Sequence, residues 1–91
     1  MTKETLLKAI ERFGKEAQSI VAMEELAELQ KEISKSLRGQ KNQEQMAEEI
    51  ADVTIMIMQL QLMYGITDEK VCEYINHKVK RLEGRLEGGT E

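Results

Sequence analysis

The stretch from Ala22-Met23-Glu24-Glu25-Leu26-Ala27-Glu28-Leu29 to Met46-Ala47-Glu48-Glu49-Ile50-Ala51-Asp52-Val53 decides the fold. Ala22, Leu26, Leu29, Ile33 and Leu37 recur at steps of three and four, one face of an α-helix that should run from about Lys15 to Leu37. Arg38-Gly39-Gln40-Lys41 ends it, with glycine in the usual stop position and basic residues at the negative end of the dipole. Asn42 is a good cap for the next helix, and Gln45 three positions on resembles a capping box. Met46, Ile50, Val53, Ile57, Leu60 and Tyr64 form the stripe of that helix, which Gly65 stops. So short a turn makes an antiparallel helical hairpin the natural arrangement.

Outward from the hairpin, Thr2 should cap a short first helix that ends near Phe13, with Gly14 as the break. Thr67 or Asp68 should cap a fourth helix that carries Val71, Ile75, Val79 and Leu82 inward. The expected architecture is all-α: one domain over residues 1–86, a small bundle of about four helices, and a frayed tail over 87–91. A chain of 91 residues buries only about two thirds of its unfolded surface. Ile55, Met56, Ile57 and Met58 point all round their helix, so another subunit should cover part of it. The bundle is therefore expected to be completed by oligomerisation.

Phe13, Tyr64 and Tyr74 are the only aromatics, so the core should be aliphatic and rich in methionine, with Met23, Met46, Met56, Met58 and Met63 in core or interface. The formal charge of -4 speaks against general nucleic-acid binding, which needs a basic face. Cys72 is the only cysteine and is expected as a small packing residue; no internal disulfide is possible. The longest strongly apolar run, Ile55 to Met58, is too short to span a bilayer, and the first residues have no apolar segment of a signal peptide. The expectation is a soluble cytoplasmic protein that uses neither a membrane nor a nucleic acid.

Chemistry sits in the acids. Glu25 and Glu28 form one acidic pair, Glu49 and Asp52 another, and Glu24 and Glu48 precede them. From Asn42 to Glu69 there is no lysine or arginine to neutralise the second group. At about 100° per residue, Glu25 lies roughly 80° from the apolar stripe of its helix and Glu28 roughly 140°. Glu49 and Asp52 lie roughly 65° and 125° from theirs, in the same rotational sense. Packed stripe to stripe and antiparallel, the two helices place all four carboxylates along one edge of the hairpin, beside the core. Measured from the turn the pairs differ in height by on the order of 6 Å, which long side chains can absorb. Four such acids cannot stay ionised together without cations. All-oxygen ligation suits Mg²⁺ or Mn²⁺, and the lack of His or Cys in the cluster speaks against zinc. Magnesium held by a few carboxylates commonly works on phosphates. On the fourth helix Lys78, Arg81 and Arg85 share one face, either solvated at the favourable end of the dipole or holding phosphates.

These residues resemble the MazG-like, all-α nucleoside triphosphate pyrophosphohydrolases. The carrying motif is Glu24-Glu25-x-x-Glu28, a spacer, then Glu48-Glu49-x-x-Asp52, and the similarity extends from about Gly14 to Arg85. The resemblance implies a helical unit that forms a homodimer or homotetramer around shared active sites. It implies Mg²⁺-dependent cleavage of a nucleoside triphosphate to monophosphate and pyrophosphate. Glu25, Glu28, Glu49 and Asp52 would be the metal ligands, and Glu24 or Glu48 would orient or deprotonate the attacking water. Asn76, Lys78 and Arg81 are the nearest matches to the phosphate-binding residues of the last helix. A second reading of the residues is a non-catalytic helical oligomer that binds a protein through its methionine-rich surface. A redox dimetal bundle would want Glu-x-x-His on facing helices, a pattern the lone His77 does not follow.

Overall fold

The computed structural model describes residues 3–88. It contains α1 (Lys3–Phe13), α2 (Lys15–Leu37), α3 (Gln43–Tyr64) and α4 (Asp68–Leu86), and no strand among the described residues. The cap expected at Thr2, and residues 89–91 of the expected frayed tail, lie outside the described residues. Among the described residues no single helix is long and apolar enough to cross a membrane.

The breaks fall where the sequence places them. Gly39 takes a φ of 91° and Gly65 a φ of 67°, conformations that side chains with a Cβ rarely adopt. At Gly65 the Ile66 N–H reaches back 2.9 Å to the Gln61 carbonyl, closing the end of α3. Thr67 caps α4 by accepting the Lys70 N–H at 3.1 Å. The capping box expected at Asn42 does not form, because its side chain makes no cap bond to α3. Its amide instead donates to α2, at 2.8 Å to the Glu32 carbonyl and 2.8 Å to Glu32 Oε1.

The hairpin α2–α3 is the body of the protein, and α1 packs across it. Its buried face is not the stripe of large aliphatics. Val53, Met56 and Gln59 are the buried residues of α3, and Ala22 and Glu32 those of α2, with Leu6 contributed by α1. In contrast Leu26, Ile33 and Leu37 on α2, and Ile50 and Ile57 on α3, are exposed. Both helices are thus turned by roughly 70–80° from the expected stripe-to-stripe contact, each toward its own acids. Small Ala22 and slender Val53 let the backbones approach on that face, and the bulky side chains are left outside. The segment from Ile55 to Met58 is accordingly half-covered: Met56 is buried, whereas Ile55, Ile57 and Met58 are exposed.

α4 departs most from expectation. The chain bends by 119° between α3 and α4, and α4 buries no residue. Ile75, Val79 and Leu82 are exposed rather than inward, Val71 is half-buried, and Cys72 is exposed rather than packed. The consequence shows in size: the radius of gyration is 16.4 Å, against about 12 Å for a compact domain of this length. The accessible surface is 7319 Å², on the order of 1,900 Å² more than a monomer of this mass usually exposes.

Candidate metal centre

The turned hairpin moves the acids from the edge into the contact. Glu25 on α2 and Glu49 on α3 are half-buried between the helices, and Asp52 joins them from one turn further along α3. One carboxylate oxygen from each of the three lies within 4.8 Å of the others, the single such group of metal-donor side chains among the described residues. The expected difference in height, on the order of 6 Å, does not keep Glu25 from Glu49 and Asp52. Glu28, exposed on the turn nearer the loop, stays outside this trio, although its charge acts on both Glu25 and Glu49.

The electrostatics are one-sided. Burial pushes the Glu25 carboxyl above its ordinary value, reinforced by a hydrogen bond to Asp52 and by the charges of Asp52, Glu49 and Glu28. Burial likewise raises Glu49, followed by repulsion from Asp52, Glu28, Glu32 and Glu48. The groups that act on these two acids are themselves all acids. Glu49 Oε2 is buried and has no hydrogen-bond partner. A buried anionic oxygen without a donor is costly, and either a proton or a bound cation relieves it. The donor set is all oxygen and partly open to solvent, which fits a hard divalent ion that keeps some of its water. The chemistry of the site therefore fits the ion expected from the sequence.

Other expected residues stand elsewhere. Glu24 and Glu48 are exposed neighbours of the trio and lie outside it. Asn76, Lys78 and Arg81 are exposed along α4, which does not pack on the hairpin, so a single chain does not fold them onto its own acids. A hollow of about 540 Å³ lies at the α3–α4 corner against Leu6, Met58, Leu62 and Ile66. It belongs to the uncovered apolar surface rather than to the acids. Sequence reasoning missed Glu32, which is buried beside the cluster. Its oxygens accept from Asn42 at 2.8 Å and from Lys35 at 3.2 Å, and the Asn42 bond holds its carboxyl below the ordinary value. The one available signal was its spacing, seven residues after Glu25 and so on the same helix face.

An all-helical hairpin with a carboxylate trio at its waist defines a class of helical proteins able to hold a hard divalent ion. The chain belongs to the MazG nucleotide pyrophosphohydrolase domain family, which it matches over residues 13–84. Members of that family are nucleotide pyrophosphohydrolases that depend on a divalent metal. No curated protein and no solved structure matches the chain.

Proposed function

We propose that the protein is a Mg²⁺-dependent nucleoside triphosphate pyrophosphohydrolase, which splits the bond between the α and β phosphates to give a monophosphate and pyrophosphate. The observation that carries this reading is the convergence of Glu25, Glu49 and Asp52, with an orphaned oxygen on Glu49, in a chain of this family. Glu25, Glu49 and Asp52 hold the ion, and exposed Glu28 is the fourth ligand, reaching in from the adjacent turn. Mg²⁺ held there, or Mn²⁺ in its place, would supply positive charge for the phosphates and would lower the pKa of a water. Glu48 or Glu24 orients that water and accepts its proton. Asn76, Lys78 and Arg81 hold the phosphates with donors that suit their oxygens.

Those α4 residues reach a site through a second copy of the chain. The exposed stripe Ile75, Val79 and Leu82 on α4, and Leu26, Ile33, Ile50 and Ile57 on the hairpin, supply an uncovered apolar surface of the kind that marks an association site. We infer a homodimer, or a homotetramer built from two, with α4 of one copy beside the acids of another. The test is a panel of natural and modified triphosphates with Mg²⁺, scored for pyrophosphate. Release from at least one of them, lost on chelation and restored by Mg²⁺, is the expected result. Orthophosphate as the first product, or no turnover of any member, would overturn the reading.

A further inference from the structure

Glu32 and Asn42 are buried polar side chains, 6 % and 7 % exposed, and they hold each other across the turn of the hairpin. The Asn42 amide donates both to the Glu32 carbonyl and to Glu32 Oε1, each at 2.8 Å, so it reads backbone and side chain of α2 at once. Lys35 holds the other carboxylate oxygen at 3.2 Å. Glu32 therefore has its oxygens engaged and is not aimed at an ion.

The position of this contact is what matters. Glu25 lies seven residues before Glu32, and Glu49 lies seven residues after Asn42. Seven residues are about 10.5 Å and close to two whole turns of helix. In an antiparallel hairpin, equal steps of seven along both helices lead from the clamp to the acids on the same face and at the same height. A slip of one residue between α2 and α3 moves Glu49 by about 1.5 Å and about 100° around its helix. Within the metal trio the polar contact is that of Glu25 with Asp52, two acids that repel one another when ionised, so the trio holds the register weakly on its own.

We propose that Asn42 and Glu32 are positioning residues: their contact fixes the register of α2 against α3 and thereby assembles Glu25, Glu49 and Asp52 as a divalent-ion site. The proposal rests on the metal reading above. Affinity for the ion then depends on an amide that never touches it.

The experiment is a Mn²⁺ titration of the full chain, with free Mn²⁺ read by its electron paramagnetic resonance signal, at a temperature where far-ultraviolet circular dichroism shows each variant as helical as the parent. Asn42→Asp keeps the shape, removes the donor and adds a negative charge. Electrostatics alone makes that variant bind Mn²⁺ more tightly; loss of register makes it bind about tenfold more weakly. Asn42→Ala should weaken binding to a similar degree, and Asn42→Ser, which retains one donor, should weaken it less. Glu32→Gln keeps an acceptor for the Asn42 amide and should stay within about threefold of the parent. If one variant loses helix, the others carry the comparison. Parent-like Mn²⁺ affinity in the helical Asn42 variants overturns the clamp while leaving the metal site standing. A parent that binds no Mn²⁺ overturns the metal reading itself, and the two failures are thus distinct.

Discussion

Ile57 sits to one side of the buried contact of α3 and keeps 46 % of its surface exposed. Covering an isoleucine fully is worth about 1.5–3 kcal/mol, so covering the exposed remainder is worth about 1 kcal/mol. In a symmetric dimer the residue counts once per subunit, or about 2 kcal/mol for the pair. Ile57→Ala should therefore weaken self-association roughly thirtyfold. Ile57→Asp should weaken it further, because a carboxylate must then be dehydrated at the interface. Sedimentation equilibrium over a wide range of protein concentration reads the dissociation constant directly. Thermal melts at low and high concentration give an independent reading, since the melting temperature of an assembly rises with concentration. The residue is not part of the carboxylate trio and is exposed, so a monomeric variant should still be helical. A parent that sediments as a monomer at high concentration, or an Ile57→Asp variant that associates as the parent does, would refute the inference drawn from the exposed apolar surface.

Two further outcomes concern the acids. Glu49→Gln should abolish pyrophosphate release while raising the melting temperature of the metal-free protein, because it removes a carboxylate whose surrounding charges are all negative; a drop in apo melting temperature measured by circular dichroism would count against repelling acids. The pH dependence follows from the same groups. Glu25 and Glu49 are raised above their ordinary 4.5 in the folded protein, so the fold binds more protons than the unfolded chain between 4.5 and the raised values. Apo stability should accordingly rise as pH falls from neutral through that window. Glu32 is lowered from 4.5, so the stability it contributes is present above that value and is lost as pH falls through its depressed pKa in the fold. Melts of the apo protein against pH should thus peak in mild acid, and saturating Mg²⁺ should move the peak toward neutral; a monotonic fall from pH 7 downward would contradict the assignment.

Much of this was legible in the sequence, for physical reasons that particular residues make plain. Helix ends were set by local chemistry: Gly39 and Gly65 at positive φ, and the Thr67 hydroxyl on the Lys70 amide. The acidic pairs were visible because a charge run without a basic neighbour has no local explanation on a helix. The face on which the helices meet was not legible. Large aliphatics mark where apolar surface must be covered, but not by what. In this chain Ala22, Val53 and Met56 make the intramolecular contact, and Ile33, Ile50 and Ile57 remain uncovered. The same ambiguity affected α4, whose stripe is amphipathic whether it packs on its own chain or on a partner. Asn42 carried a strong cap signal, yet its amide finds a second use ten residues back, at Glu32. Long-range polar pairing of that kind leaves no periodic trace. The family match over residues 13–84 agrees with the motif and does not by itself reveal that Glu25 and Glu49 lie inside the hairpin contact.

The central claim is that three acids from two helices converge on a divalent ion. Anomalous diffraction from a crystal grown with Mn²⁺ tests it most directly. The expected result is a peak bounded by oxygens of Glu25, Glu49 and Asp52, with Glu28 drawn toward it. A crystal at high Mn²⁺ with no peak there, and with these carboxylates turned apart into solvent, would contradict it.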